Sequence, residues 1–401
     1  MGLLWALAAA RFVAYGWVEA LYLEPAWHFA WVPWAVVPPA PALYGLFGVM
    51  AVAGLTLAAG VRPRLSAAAF LLAFGYVELL DKALYLNHYV LVTLLAATFV
   101  ALPAPGPGFT QPRWALWLLR VEVGAVYVWA GVAKLNPDWL LRGEPLRTWL
   151  AARVDLPGVG PLLAAPEAAL AMSWAGAAYD LSVPFALSWA RTRPWAYACV
   201  IAFHVTTWLL FPIGIFPWLM IAASTIFFPP QWPRRFREAP PADLSERLPL
   251  TMPATSAFWA VVLLLALAPG RGALTPMATN WSEEGFRFAW RVMLIEKTGQ
   301  VDFRVVERDT GRTWMEHPAD GLTALQHKQM RTQPDLIRQY ARHLAAQYAV
   351  RGLDVAVYAD AWASLNGRPS QRLLRPDVDL TLPDGALEAA GWIVPLEEGQ
   401  G

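Results

Sequence analysis

The chain has 401 residues, a mean hydropathy of +0.39, 57% hydrophobic residues and 22 tryptophans, which is too apolar for a water-soluble protein of this length. A net charge of +1 excludes bulk electrostatic attraction to nucleic acid. The one cysteine, Cys199, excludes an intrachain disulfide and a cysteine-based metal site.

Taken in order, the apolar runs predict a mainly α integral membrane protein, a polytopic helical bundle of about nine spans. The spans fall near residues 3–23, 41–60, 65–80, 83–102, 114–134, 162–190, 194–211, 213–229 and 254–269. MGLLWALAAARF has no basic n-region and reads as the start of span one rather than a removed signal peptide. WHFAWVPW (Trp27 to Trp34) is short and aromatic and suits a membrane interface. Arg62, Arg64, Arg113, Arg191, Arg193, Arg234, Arg235, Arg237 and Arg247 all fall in loops on one side of a nine-span bundle. By the positive-inside rule the N-terminus is then cytoplasmic and the tail lies outside. Scarce lysine with heavy Ala, Pro and Gly use points to a bacterial source, hence an inner membrane with a periplasmic tail.

The division falls near residue 270, giving a transmembrane bundle over 1–270 and a small α+β extramembrane domain over 271–401. VDFRVVERDTGRTWME alternates like a strand pair, with a turn at Asp309-Thr310-Gly311-Arg312. Pro334 to Val350 reads as an amphipathic helix, and VAVYADAWASL as another strand.

Chemistry-bearing residues gather at the outer face of the predicted bundle. In WAGVAKLNPDW, Lys134 ends span five behind the small residues Ala130, Gly131 and Ala133. Small residues allow close helix approach. Burial of a lysine favours a neutral amine, a usable base near neutral pH; snorkelling to the interface is the plain alternative. In LLDKALYLNHYVLV, Asp81 and His88 share one face if the segment is helical, and Asn87 and His88 offer hydrogen bonds to an oxygen-rich ligand. His204, in span seven, reads as a ligand contact or a cross-helix tie. The histidines show no metal-binding spacing, so no metal is expected.

Together these stretches resemble the vitamin K-dependent gamma-glutamyl carboxylase family, including bacterial relatives with an HTTM domain. DKALYLNHYVL is similar to its Asn-His segment, and YVWAGVAKLNPDWLLRGEPL to its catalytic-lysine segment. FHVTTWLLFPIGIFPWLM resembles its His and Ile-Gly-x-Phe-Pro stretch, and the tail segments FRFAWRVML, VVERDTGRTW, QPDLIRQYARHL and DAWASLNGRPSQRLLRPDVDL follow in the same order. The resemblance runs from about residue 10 to 380.

It implies O2-dependent epoxidation of a reduced vitamin K, menaquinol or phylloquinol, coupled to γ-carboxylation of glutamate residues with CO2. Lys134 would deprotonate the quinol. Asn87 would help hold a quinol oxygen and His88 would couple epoxidation to carbanion formation, with Asp81 and His204 as further quinol contacts. FRFAWRVML resembles the glutamate-binding strand: Trp290 would wall the pocket, and Arg287 or Arg291 would pair with the substrate carboxylate. HKQMR (His327 to Arg331) is a second basic candidate, with a solvated turn as its plain reading. The expected partners are a quinol, a glutamate-containing peptide or protein and the lipid bilayer. The animal enzymes are longer, so use of a propeptide does not carry over. Two other readings use the same residues: a quinol epoxidase uncoupled from carboxylation, and a non-catalytic quinol-binding or assembly protein.

Overall fold

The computed structural model describes residues 1–102, 113–229, 232, 252–275 and 277–397. Arg234, Arg235, Arg237 and Arg247, on which part of the charge-based orientation rests, lie outside these residues.

Among the described residues the chain is mostly helical, with a small C-terminal sheet. The apolar part contains α1 (Gly2–Ala14), α2 (Ala40–Ala58), α3 (Pro63–Leu80), α4 (Asn87–Ala101) and α5 (Arg113–Ala133). It continues through α6 (Pro166–Ser188), α7 (Arg193–Leu210), α8 (Phe216–Ser224) and α9 (Met252–Leu267). Among the described residues three helices are long and apolar enough to cross a membrane: Ala40–Ala58, Pro63–Leu80 and Trp114–Ala133. The apolar helices at Gly2–Ala14, Asn87–Ala101, Phe216–Phe227 and Phe258–Leu274 are shorter. In α6 and α7, polar side chains such as Asp180 and His204 dilute the apolar run.

Two expected continuous segments are broken. The run 3–23 divides after α1, where Gly16 adopts a left-handed φ of 68° and a π-type turn follows over Glu19–Leu23. The run from Asp81 also divides. Asp81 is extended, and its carboxylate accepts from Ala83 N at 2.8 Å, capping a single 3₁₀ turn over Lys82–Leu84 before α4 begins at Asn87. Asp81 and His88 therefore do not share a helix face. Close helix contact is set by small residues: a Cβ on Gly54 would sit 2.6 Å from Gly2 O, so α1 and α2 meet backbone to backbone.

The tail forms a four-stranded antiparallel sheet in the order β2-β1-β3-β4. Its strands are β1 (Lys297–Glu307), β2 (Thr313–Glu316), β3 (Val355–Leu365) and β4 (Gln371–Arg372). The β1–β2 turn is the expected one, with Gly311 at φ 70° and Gly311 N donating to Glu307 O at 2.9 Å. Helix α10 spans Ala324–Met330 and takes in most of the HKQMR stretch, so that segment is a helix end rather than a turn. Helix α11 (Pro334–Val350) buries Leu336, Ile337, Tyr340, Leu344 and Tyr348 in one core with Val301, Phe303 and Val305 of the sheet.

The two parts interlock. Phe29 and Ala83, from loops of the helical part, are built into the tail's core, while Trp290 is built into the core of the helices. At a second contact, Arg368 donates two hydrogen bonds of 2.7 Å to the carboxylate of Asp138, and Asn366 Nδ2 adds a third at 3.0 Å. Burial alone would raise the Asp138 carboxyl, but the Arg368 and Asn366 hydrogen bonds outweigh it and hold the group below its usual range.

A depressed folded pKa gives stability that is present above the unfolded value of about 3.9 and is lost as pH falls through the folded value. The Asp138–Arg368 docking is thus complete at neutral pH and weakens below about pH 4. Asp138→Ala is expected to cost about 3 kcal/mol, since both partners are largely buried. Asp138→Asn should flatten the acid limb of protection at residues 366–368. Hydrogen exchange between pH 3 and 7 checks this, and an unchanged acid limb in that variant would assign the limb to other groups.

Candidate active site

Local sequence dictates where Lys134 goes. Helix α5 ends at Ala133, and Lys134 N still reaches Gly131 O at 3.0 Å. Asn136 then caps a short helix, Pro137–Leu140, by accepting from Trp139 N at 3.1 Å, with Pro137 in the favoured first position. The reversal brings Trp139 back over the lysine, with Nζ 5.1 Å from the indole centroid. Trp139 is itself fixed by a 2.6 Å bond from its Nε1 to Ser173 O on α6.

Gly131 decides what faces Lys134 on the other side. A Cβ there would lie 2.7 Å from Leu181 Cγ, so only glycine lets α6 approach this closely. The approach places Asp180 Oδ2 2.7 Å from Lys134 Nζ, and Ala130 O takes a further bond at 3.3 Å. The lysine and aspartate side chains are 6% and 7% exposed, so this ion pair is held away from water rather than snorkelling out. Lys134 is therefore buried as expected but is not a lone amine.

The pair lies on the wall of a partly open cavity between the helices and the tail. Most of the lining is apolar or aromatic, including Val126, Phe203, Phe211 and Met220. A second polar group faces it from α7. His204 is 2% exposed; its Nε2 is 3.2 Å from the Tyr127 hydroxyl, which is 3.0 Å from Ser224 Oγ. His204 Nδ1 is buried and has no hydrogen-bond partner among the described residues. If Tyr127 donates to Nε2, Nδ1 carries the proton and is a free donor; with Tyr127 reversed, Nδ1 is a free acceptor.

His88 lies elsewhere. It lines a second cavity, with Glu78, Tyr89 and aromatic side chains from α1 to α3. The Phe216 ring, 5.6 Å from His88 and 5.9 Å from His204, stands between the two imidazoles. Asn87 faces the tail: its Oδ1 accepts from Tyr85 OH at 2.9 Å and its Nδ2 donates to Arg291 O at 3.3 Å. Asp81 is 2% exposed and accepts from Gln326 Nε2 at 2.8 Å as well as from Ala83 N, with His28 Nδ1 at 3.1 Å. It ties the α3 end to the tail and lines neither cavity.

The expected glutamate-binding strand is not a strand. Residues 286–293 form an irregular loop in which Phe288, Trp290 and Met293 adopt left-handed φ of 56°, 53° and 58°. These reversals break the alternation on which a shared Arg287–Arg291 face depended. Arg287 is bound to Asp335 at 2.7 Å and Gln333 at 2.8 Å, and Arg291 Nε donates to Asn280 Oδ1 at 3.1 Å. Trp290 is 1% exposed and packs into the helical core, its Nε1 buried without a partner among the described residues. The tail residues that line the lysine cavity are Val292 and Met293. The structure thus brings Lys134 and His204 to one cavity and His88 to the next, with Asn87, Asp81, Trp290, Arg287 and Arg291 outside the first. Sequence reasoning missed Asp180, although a lone carboxylate inside an apolar segment is itself a functional signal.

Chemically, the Lys134–Asp180 pair is neutral overall whichever partner holds the shared proton. The amine form can take a proton from a bound hydroxyl, with Asp180 holding Nζ in place. Asp180→Ala strands a buried charge and is expected to cost about 3–5 kcal/mol, whereas Lys134→Met with Asp180→Leu should recover most of that loss. Denaturant melts of the two single variants and the double variant give the coupling; additivity within about 0.5 kcal/mol would show that the pair contributes nothing.

Residues 249–399 match the family model described as "Vitamin K-dependent gamma-carboxylase, lumenal domain". Residues 1–107 and 108–232 match the HTTM domain. No solved structure matches the chain. With both models matched in succession along most of the sequence, the chain belongs to the vitamin K-dependent gamma-carboxylase family and is a gamma-carboxylase-like membrane protein.

Proposed function

We propose that this protein is an integral-membrane carboxylase that couples O2-dependent epoxidation of a vitamin K hydroquinone, menaquinol in a bacterial membrane, to γ-carboxylation of glutamate residues with CO2. One observation carries the reading: a buried lysine, braced by Asp180 at 2.7 Å, lines a mostly apolar and aromatic cavity. Apolar walls suit a fused aromatic ring. Lys134 on one wall and His204 on another, its Nδ1 without a hydrogen-bond partner among the described residues, suit a ring bearing two oxygens. When bound, the quinol supplies on reaction with O2 the base strength that an amine lacks for removing a carbon-bound γ-hydrogen.

The chain's own part is narrower. Lys134 accepts the hydroxyl proton, Asp180 fixes Nζ, and His204 orients the second oxygen. Trp139 and the apolar lining exclude water, which would quench a strong base. His88 lies one ring away, across Phe216, consistent with a coupling role. Asn87 acts by holding the 286–293 loop through Arg291 O. Val292 and Met293 on the cavity wall mark the side from which a glutamate side chain would arrive. Trp290, Arg287 and Arg291 then shape that loop. Orientation follows from the arginine-rich loops: N-terminus cytoplasmic, tail periplasmic, about nine crossings.

The test is purified protein in detergent with menaquinol or vitamin K hydroquinone, labelled bicarbonate and a glutamate peptide. Epoxide and fixed label are followed together. Lys134→Ala is expected to lower both by at least about 100-fold while the fold is retained. Epoxide without label, across varied peptides, would indicate an uncoupled quinol epoxidase. Neither product with any quinol would indicate a binding or assembly protein.

A further inference from the structure

A wide crevice of mixed lining, with about 1,460 Å³ of open space, lies between the aromatic segment 26–37 and helix α11, apart from both cavities above. Its two walls differ in chemistry. One is Val32, Pro33, Val36 and Val37, with Val36 63% exposed. The other carries Lys82, Arg338 and Arg342, with Asp335 and Asp384. Its place in the fold is a membrane boundary. The apolar wall runs up to the start of α2 at Ala40, and Lys82 follows the end of α3 at Leu80. Trp27 and Trp31 line the rim, as aromatic side chains do where helices leave a bilayer.

The charges do not balance. Arg338 and Arg342 share one carboxylate, Asp384, at 2.6 Å and 3.1 Å. Asp335 is taken by Arg287 at 2.7 Å. Lys82 Nζ has the neutral Gln339 Oε1 at 3.0 Å and the Trp31 ring at 5.6 Å. That leaves the ammonium and one guanidinium in excess beside an apolar wall. His28 does not alter this count, because its ring nitrogens lie 3.1 Å from Asp81 and from Tyr22 O.

We propose that this crevice binds one anionic phospholipid, its phosphate between Lys82 and the Arg338–Arg342 edge and its glycerol and acyl body along Val36 and Val37. The excess charge selects an anion, and the exposed apolar wall selects a lipid over a soluble phosphate or an acidic peptide. A bound lipid would tie the interfacial segment to α11, and so the helical part to the tail.

The experiment is native mass spectrometry of the detergent-extracted, delipidated full chain, titrated with phosphatidylglycerol or phosphatidylcholine. One phosphatidylglycerol is expected to be retained at least about five-fold more tightly than phosphatidylcholine, since each basic residue adds about 1 kcal/mol toward an anionic headgroup. Lys82→Met with Arg342→Gln should bring phosphatidylglycerol down to the phosphatidylcholine level. If that variant does not fold, Arg342→Gln alone, whose side chain is 45% exposed, reads the same difference. Equal retention of the two lipids, or retention untouched by the variants, would overturn the proposal. Displacement of the lipid by glycerol phosphate or by a glutamate peptide at equal concentration would also overturn it, in favour of a soluble ligand.

Discussion

A lysine and an aspartate buried side by side in apolar surroundings set the terms for everything around them. Two charges removed from water are tolerated only where geometry is close and the remaining donors are used. Here Lys134 Nζ meets Asp180 Oδ2 at 2.7 Å, Ala130 O at 3.3 Å and the Trp139 ring face. That closeness requires Gly131, because any side chain there would push Leu181 and its helix away. It also requires the Asn136 cap and Pro137, which turn the chain so that Trp139 covers the pair. Asp138, next to Trp139, is in turn held by Arg368 of the tail. One line of contacts therefore runs from the tail's sheet to the lysine.

The same interlocking bears on how the tail and the helices divide the work. Each lends residues to the other's core: Phe29 and Ala83 go into the tail, and Trp290 goes into the helices. The 286–293 loop is pinned at two points, by Phe288 N donating to Tyr85 OH at 2.6 Å and by Asn87 Nδ2 donating to Arg291 O. Its left-handed residues are costly for non-glycine side chains and persist because these contacts over-determine them. A loop held this firmly makes a rigid wall for a cavity, and Val292 and Met293 are the part of it that faces the lysine.

What the sequence conveyed and what it hid follow from physics of different range. Helix α11, the Gly311 turn and strand β3 were readable because periodicity and turn chemistry are local. Burial of Lys134 followed from the family resemblance, since the span pattern alone favours a terminal lysine that snorkels to the interface. Its partner was not readable, because Asp180 lies 46 residues away and only the Gly131–Leu181 contact brings it near. The 286–293 segment looked like a strand because alternation says nothing about the sign of φ. The long apolar runs gave helix positions but not continuity: Gly16 and the Asp81 cap interrupt two of them. Arg287 and Arg291 looked available to a substrate because sequence does not reveal that Asp335 and Asn280 already hold them.

The two cavities raise a question of communication. His204 and His88 have no direct contact among the described residues, and what they share is the Phe216 ring. Close-packed interiors transmit displacement rather than absorb it. A ligand that reorients His204 therefore acts on Phe216, which also packs on His88. Phe216 opens helix α8 two residues after Gly214, whose φ of 62° lies in the turn out of α7. Under the proposed coupling, displacement of the Phe216 ring would offer a physical route from the Lys134 cavity to the imidazole in the neighbouring one. It needs no proton wire between the two.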